Sequence, residues 1–488
     1  MPPTTAHCAP APAADPLRRA ALAATGLGLL GLAGAAAAAQ PGRFAGLPDA
    51  SVGLYAQVLG EPQPLVARNA ELPYAMASTA KLVTSLAALD LLGAQFRWRT
   101  FAFLDGELAD GRLNGDLWIV GGGDVRLRSE DLAQWMAQWR RQGLREINGN
   151  IVLDRFAFQL HDSDHAGTPT PAADRPHHAW PDALTVDESV LQVQLRAGTD
   201  GQPRVRVSPP LAGLSLSTEL NPQGGCEPSA VWRGTPGGPA QLQLQGDWHP
   251  ACGPMAVLAA LPHAEYAARV IAGLWAAAGG RLRGRVAAAA TAPRATLMPL
   301  GRDGQALQPF ASHASPPLPE LLRDMNKRSD NLAARHLMLA LAPGFPVRAA
   351  TLPEARRRMR EWLARQGLAP QDLQLDNGSG LSRQERAKPR ALVQLLERAW
   401  HSGQAQALIR TLPLAGVDGT LTNRLRHGAA AGQAYLKTGT LLDTRALAGY
   451  VRTRRGTVVA VAALVNHPDA ALATPGLDRF IEWLARHG

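Results

Sequence analysis

Ser78 and Lys81 stand three residues apart in Ser78-Thr79-Ala80-Lys81, the one place in the sequence where serine precedes lysine at that interval. On a helix this spacing puts a hydroxyl and an amine on one face. A serine hydroxyl is a poor nucleophile until a neighbouring base takes its proton. An amine serves as that base when burial and a second cation lower its pKa. The chemistry such a pair supports is acyl transfer through a serine ester. The start of a helix adds free N–H groups and a positive dipole end, both suited to a developing anion. By itself the tetrad is a weak signal and reads more readily as a helix-capping serine beside a solvated lysine.

Two further motifs carry compatible groups. Ser329-Asp330-Asn331 precedes an apolar helical run, LAARHLMLAL, and alone reads as a helix cap. Lys437-Thr438-Gly439-Thr440 follows Ala434-Tyr435-Leu436 on a predicted strand, where glycine permits close backbone approach. Lysine usage gives these motifs weight. Of 50 basic residues only Lys81, Lys327, Lys388 and Lys437 are lysines. The rest are arginine, in a chain rich in Ala, Gly and Pro, as in a GC-rich coding sequence. Surviving lysines are candidates for sites where guanidinium will not serve, since only an amine loses its proton near neutral pH.

The three motifs occur once each, in order, at a predicted helix start, turn and strand. Together they are the joint signature of penicillin-binding proteins and class A β-lactamases. About 250 residues separate Ser78 from Ser329, far more than a bare serine acyltransferase core needs. In this the chain resembles the D-Ala-D-Ala carboxypeptidase/endopeptidase family, the class C low-molecular-mass penicillin-binding proteins, whose insertion between the first two motifs forms two extra domains. Further segments carry the resemblance over nearly all of the chain after its leader: LWIVGGGDVRLRSEDL, GNIVLDRFAF, NKRSDNLAARHL, DNGSGLSR, PLAGVDGTL and LKTGTL. The stretch LTVDESV near 184–190 departs from the Asn-containing strand common in the family.

The resemblance implies a serine DD-peptidase that cleaves peptidoglycan peptides and is covalently inhibited by β-lactam antibiotics. In it Ser78 attacks the carbonyl of the penultimate D-Ala and Lys81 takes its proton. Ser329 relays a proton to the leaving amine, with Lys437 holding that hydroxyl. Asn331 binds the substrate amide, while Thr438, Gly439 and Thr440 line the terminal carboxylate. Backbone N–H groups of Ser78 and Thr440 form the oxyanion hole. Asp154 matches a family aspartate that reaches the cleft to meet the amino end of the peptide's diamino acid; a surface turn residue is the alternative.

The elements that must position these groups are legible in outline. Residues 51–68 predict two strands around Gly60-Glu61-Pro62. Leu82, Leu86, Leu89 and Leu92 predict an amphipathic helix ended at Gly93. Near the C-terminus, 433–440, 446–452 and 458–465 predict three strands before a last helix, LDRFIEWLAR. Strands at both ends of one domain share a sheet, which makes the middle an insertion. There, 113–125 and 147–156 read as strands flanking a helix, SEDLAQWMAQWRRQG. Short alternating runs (VLQVQL, PRVRVS, AQLQLQG) fill 184–261. A helix near 264–279 and a strand near 281–288 close the region, and the chain turns helical from 316. The expected fold is α/β: an antiparallel sheet with helices on its faces and inserted β-rich domains. Its expected boundaries are a leader over 1–39, a peptidase domain from 44–97 and 298–488, a second domain from 98–165 and 264–297, and a nested third over 166–263.

Composition excludes other classes. A chain of 488 residues with 46% hydrophobic and 18% charged residues is neither disordered nor a minidomain. The net charge of +10 lacks Lys/Arg clusters interleaved with aromatics, which are 5%, so no nucleic acid is expected. Arg18-Arg19, an apolar stretch and an alanine run before Gln40 read as an export signal, implying a periplasmic protein with no stable membrane span. Cys226 and Cys252, the cysteines left after export, are candidates for a disulfide. No zinc signature stands out, and neither metal nor cofactor is expected. Gly121-Gly122-Gly123-Asp124 lacks the Lys-Ser/Thr of a phosphate loop and reads as a turn. The histidines, His177-His178 included, read as surface residues. A β-lactamase would need a deacylating base; Thr218-Glu219-Leu220-Asn221 imitates part of one, but Ser217 holds the base position and the stretch precedes Ser329. A catalytically dead wall-binding protein would not keep all five groups. Whether the chain forms a homo-oligomer is left open.

Overall fold

The computed structural model describes residues 44, 46–165, 179–198, 203–221, 225–233, 238–249, 251–253, 255–258, 261–289 and 305–488. The leader, His177-His178 and much of the turn-rich stretch 163–180 lie outside the described residues.

β1 (Val52–Val58) and β2 (Pro64–Arg68) form the expected hairpin. β3 (Tyr74–Ala75) then leads through a 3-10 turn at Ala77–Thr79 into α1 (Ala80–Leu91). β4 (Arg99–Ala109) and β5 (Arg112–Gly121) make a long antiparallel pair, followed by α2 (Ser129–Arg141), β6 (Glu146–Ile147) and β7 (Ile151–Asp154). Next come β8 (Val190–Ala197), β9 (Pro203–Ser208), β10 (Leu214–Asn221), β11 (Glu227–Arg233), β12 (Ala240–Asp247) and β13 (Met255–Leu258). α3 (His263–Ala277), β14 (Arg281–Leu282), β15 (Val286–Ala288) and β16 (Pro309–Ala314) end the inserted region. The helical part holds α4 (Leu318–Arg328), α5 (Asn331–Ala340), α6 (Leu352–Arg365), α7 (Pro389–His401) and α8 (Gln404–Ile409). Short strands β17 (Leu373–Gln374) and β18 (Arg386–Ala387) precede α7. β19 (Ala434–Leu441), β20 (Thr444–Arg452), β21 (Val458–Asn466) and α9 (Thr474–His487) complete the chain.

The two chain ends share one antiparallel sheet, in the order β19-β20-β21-β1-β2. Its central strands separate two cores. Tyr55, Ala448, Tyr450, Ala460 and Ala462 pack with the helices of the middle of the chain. Leu54, Leu447, Val459, Val461 and Ala463 pack with Leu477, Phe480, Ile481 and Leu484 of α9. Burial on both faces is why VVAVAALV is an unbroken apolar run rather than an alternating one.

The inserted strands form a seven-stranded sheet around β14-β6-β5-β4-β16 and two three-stranded sheets, β13-β8-β9 and β10-β12-β11. They share a third apolar core with α2 and α3, centred on Trp135, Trp139, Trp248 and Trp275. β16 pairs with β4 over residues 309–314, so the inserted sheet runs past 297, where the sequence reading returned to the outer domain. The six residues PFASHA are too short and too mixed in polarity to announce a strand. β4 was also absent from the expectation: Gly106, at φ +153, interrupts its pattern where only Cα room exists against Asn114 and Gly115.

Candidate active site

The nucleophile turn is pinned from three sides. β3 pairs with β18, and the side chain of Asn466 at the end of β21 holds both edges of Ala75: its Oδ1 accepts from Ala75 N at 2.7 Å and its Nδ2 donates to Ala75 O at 3.1 Å. Ala77, one residue before Ser78, has φ +44, a left-handed conformation that costs an alanine roughly 1–2 kcal/mol. Two glycines make room for this turn. A Cβ on Gly380 would lie 1.9 Å from Ala77 O, and one on Gly439 would lie 2.8 Å from Met76 O. The close backbone approach expected at the third motif is therefore present.

Ser78 is half-buried and Lys81, three residues on, is fully buried at the start of α1. Lys81 Nζ lies 3.0 Å from Ser78 Oγ, 2.7 Å from Asn331 Oδ1 and 2.5 Å from Ser379 O. Burial pushes its pKa down to about 7; Asp330 and Glu385 resist that shift and Arg335 adds to it. The solvated-lysine alternative for the first motif is thereby excluded.

The second motif is both a cap and part of the cluster. Asp330 Oδ1 accepts from Ala333 N at 3.0 Å, capping α5. Ser329, at φ +58, ends α4, and Asp330 N closes that end on Met325 O at 2.9 Å. The tight turn between two helices aims the side chains on either side of the capping residue at different lysines. Asn331 meets Lys81, while Ser329 Oγ accepts from Lys437 Nζ at 2.9 Å. Lys437, on β19, is fully buried, and burial together with Lys81 holds its pKa well below that of a free lysine. Two buried amines in one cluster disfavour a second proton. Thr438 is nearly buried and shares a 2.7 Å hydrogen bond with Thr420 Oγ1, whereas Thr440 is exposed on the same strand.

Asp154 is not part of this cluster. It is fully buried at the end of β7, its Oδ1 accepts from Phe156 N at 2.9 Å, and its Oδ2 has no partner among the described residues. Burial raises its carboxyl to about 6. The surface-turn alternative does not describe it.

Several residues here had escaped the sequence reading. The carbonyl of Ser379 holds Lys81, between Gly378 (φ +79) and Gly380 (φ +88); paired glycines around a serine in DNGSGLSR were the available signal. Lys327 pairs with Asp418 Oδ2 at 2.5 Å, tying α4 to the segment that carries Thr420. Lys388 pairs with Asp372 at 2.7 Å. These two of the four lysines thus make ion pairs. His336 corrects the surface reading of the histidines: it is fully buried, its Nδ1 is 2.8 Å from Gly123 O, and burial lowers its pKa to about 4. Gly123 (φ +89) also donates to Ala183 O at 2.8 Å, so the glycine run, expected as a turn, is instead the end of β5 and the segment after it, where the inserted sheet meets α5. Cys226 and Cys252 are joined in a disulfide. His249, three residues before Cys252 and overlooked in the sequence, lies 3.3 Å from Cys226 Sγ. With the sulfurs bonded to each other, neither offers a metal the thiolate it binds.

A half-buried serine on a buried amine, facing a second serine on a second buried amine beneath an antiparallel sheet, defines a serine acyl-transfer enzyme of the penicillin-binding type. The D-Ala-D-Ala carboxypeptidase 3 (S13) family matches residues 35–487, and the chain belongs to that family of peptidases. It is 28% identical over 430 residues, 86% of each chain, to the D-alanyl-D-alanine carboxypeptidase DacB of Haemophilus influenzae. It is 29% identical over 394 residues to the D-alanyl-D-alanine carboxypeptidase of Actinomadura sp., covering 77% of this chain and 70% of the relative. Its structure is similar to that of penicillin-binding protein 4 from H. influenzae, with TM-score 0.73 and 26% identity over 89% of this chain and 95% of the other.

Proposed function

We propose that the protein cleaves D-Ala-D-Ala bonds of peptidoglycan peptides, as carboxypeptidase and endopeptidase, through an acyl-enzyme on Ser78. The observation that carries this reading is Lys81, stripped of water and 3.0 Å from Ser78 Oγ. Neutral Lys81 takes the Ser78 proton as Oγ bonds to the carbonyl carbon of the penultimate D-Ala. The oxyanion is met by backbone N–H groups of Ser78 and Thr440, each such donor being worth about 3 kcal/mol. The C–N bond then breaks as a proton passes from Lys81 through Ser329, held by Lys437, to the leaving amine. Water, deprotonated by Lys81, hydrolyses the ester and restores Ser78. Asn331 orients Lys81 and the substrate amide, and Thr438, Gly439 and Thr440 receive the terminal carboxylate beside Lys437. Asp154, one of whose oxygens has no partner among the described residues, is taken to meet the amino end of the diamino acid.

The same reading includes export by residues 1–39 to the periplasm, and none of the described helices is long and apolar enough to cross a membrane. It divides the chain into a peptidase domain (44–97 and 316–488), a second domain (98–165 and 264–314) and a nested third (166–263). β-Lactams are inhibitors because they acylate the same serine. The H. influenzae protein 4 structure has also been determined with a β-lactam. The test is labelling of the purified protein with a fluorescent penicillin, beside Ser78→Ala. A stable label on the unaltered protein alone, with D-Ala released from muropeptides, is the expected result. Rapid loss of label with penicillin hydrolysis would replace this reading with a β-lactamase, and no label on the folded protein would remove it.

A further inference from the structure

The segment between β17 and β18 touches the nucleophile turn twice, and one side chain gives that segment its shape. Glu385 is fully buried. Its Oε1 accepts from the backbone N–H groups of Asp376 at 3.1 Å, Asn377 at 3.1 Å and Gly378 at 2.6 Å, and its Oε2 accepts from Gly380 N. Its own carbonyl accepts from Met76 N at 3.1 Å, two residues before Ser78. One carboxylate thus gathers four amides of a five-residue stretch. That stretch cannot change shape without leaving a buried charge and buried N–H groups unpaired.

What the gathered loop presents is specific. Asn377 Oδ1 accepts from both Ser379 N at 3.1 Å and Ser379 Oγ at 2.6 Å, which turns the polar groups of Ser379 into the loop and leaves its carbonyl for Lys81 Nζ at 2.5 Å. Gly378 O accepts from Thr84 Oγ1 at 2.8 Å, one turn along α1 from Lys81. Gly380 lies flat on the carbonyl of strained Ala77. Lys81 is therefore held by three acceptors on three parts of the chain: Ser78, Asn331 and this loop.

We propose that Glu385 is a positioning residue for the reaction, fixing the 376–380 loop as the wall that keeps Lys81 on Ser78 and Ala77 in its left-handed turn. The proposal rests on the assignment of Ser78 and Lys81 above. Glu385 also faces Lys81 as a charge. Asp330 at the head of α5 and Glu385 are the negative groups acting on that amine. Arg335 of α5 and Lys437 of β19 are the positive ones. Arg335 is itself buried, with Nη1 donating to Ala179 O at 3.1 Å, and Glu385 and Asp376 are the acids that act on it.

The test is Glu385→Gln, which keeps the shape but puts an NH2 where one oxygen accepted. The second-order rate of penicillin acylation is measured from about pH 5 to about pH 9 in the unaltered protein, Glu385→Gln and Glu385→Asp. Glu385→Gln is expected to lower the plateau about 10- to 100-fold, the size of effect a misplacement near 1 Å produces. Its acid limb is expected to move to lower pH, because a negative charge that favoured protonated Lys81 is gone. Glu385→Asp restores the limb but only part of the plateau. A merely structural role would lower the thermal midpoint and leave both readouts of the folded fraction alone. A folded Glu385→Gln protein with a plateau within about threefold of the unaltered one and an unmoved limb overturns the proposal. If the variant does not fold, amide exchange in the unaltered protein decides. The amides of 376, 377, 378 and 380 are expected among the most slowly exchanging, and fast exchange there overturns the proposal equally. Failure of the underlying assignment is seen separately, as an unaltered protein that takes no label.

Discussion

In β21 of the outer sheet eight of nine residues are buried; in β10 of the inserted region none is. The same contrast governs the charges. Lys437 and Lys81, in and beside the outer sheet, are fully buried, and their bonds go to hydroxyl, amide and carbonyl oxygens, not to carboxylates. In the inserted sheet Arg112, Arg281 and Arg283 gather around Glu146 with their side chains 61–71% exposed. These arginines keep most of their contact with solvent although Glu146 itself is buried, and ion pairs with so exposed a partner contribute little. An excess of positive charge therefore says little about where chemistry sits. Dehydration of an amine does, and here it falls on two of the four lysines.

The largest test of that difference is Lys81→Met. Loss of the base is expected to reduce penicillin acylation about 10²- to 10⁴-fold. The thermal midpoint is expected not to fall, because a buried amine gives way to an apolar side chain of similar length. The pH dependence follows from the same group. Acylation by the unaltered protein requires neutral Lys81 and is expected to be half-maximal near pH 7 and lost below it. Stability carries the complementary sign. Between the lowered folded pKa of Lys81 and its ordinary value, the unfolded chain binds the extra proton, so stability rises from about pH 7 to about pH 10.5. That rise is expected to shrink in Lys81→Met; a flat rate profile with an unchanged stability slope would show Lys81 charged and the comparison mistaken.

Gly439→Ala tests backbone proximity in place of charge. Its Cβ would lie 2.8 Å from Met76 O and 2.9 Å from Ala446 Cβ, between a strand and the nucleophile turn. A loss of about 1–3 kcal/mol in stability is expected, as for other overpacked sites, with at least a tenfold slower acylation. Gly253→Ala in the inserted region meets nothing within 4 Å among the described residues and is expected to change neither. Equal effects from the two substitutions, read by thermal melts and labelling rates, would erase the distinction.

What the sequence disclosed follows the same division. The three motifs were legible because each is local: a turn, a cap or a strand end holds its members at fixed spacing. The outer sheet was legible because β21 is a continuous apolar run and short turns mark the ends of its neighbours. Ser379, Glu385 and Thr420 were not, since they act through a carbonyl, a set of amides and a hydroxyl supplied from distant segments, which no spacing encodes. Ser329-Asp330-Asn331 shows the limit well: cap and site were weighed as alternatives, and one turn makes the cap while placing Ser329 and Asn331 on the two buried lysines. In the inserted region, β4 and β16 went unread because edge strands and glycine interruptions blur the period of two.

The disulfide provides a smaller test. Cys226 and Cys252 lie 26 residues apart in the inserted β-rich region, remote in sequence from every motif. Replacing both by serine is expected to cost the inserted region about 3 kcal/mol by freeing its unfolded chain. The labelling rate at Ser78 is expected to stay within about twofold, since the strands beside the disulfide pack in a different core from the one around α1 and α5. A slowed label in a protein whose outer domain remains folded would show the inserted sheets to be part of the acylation machinery.

The smallest expected effect belongs to Glu219→Gln. In sequence, Glu219 lies in the stretch that imitates the deacylating loop of a β-lactamase. In the fold it is exposed on β10, an edge strand, opposite Gln245 of β12. A base that hydrolyses an acyl-enzyme must reach its water within hydrogen-bond distance of the ester. Glu219 stands exposed on an inserted edge strand, in hydrogen-bonded register with β12 and not with the strand or helices that carry Ser78, Ser329 and Lys437. The lifetime of the penicilloyl-enzyme, followed by the decay of fluorescent label after a chase, is therefore expected to change by less than about twofold. A tenfold longer lifetime would mean that the inserted sheet delivers this carboxylate to Ser78. The contrast between a dehydrated site and a solvated insertion would then fail at the point where it separates a peptidase from a β-lactamase.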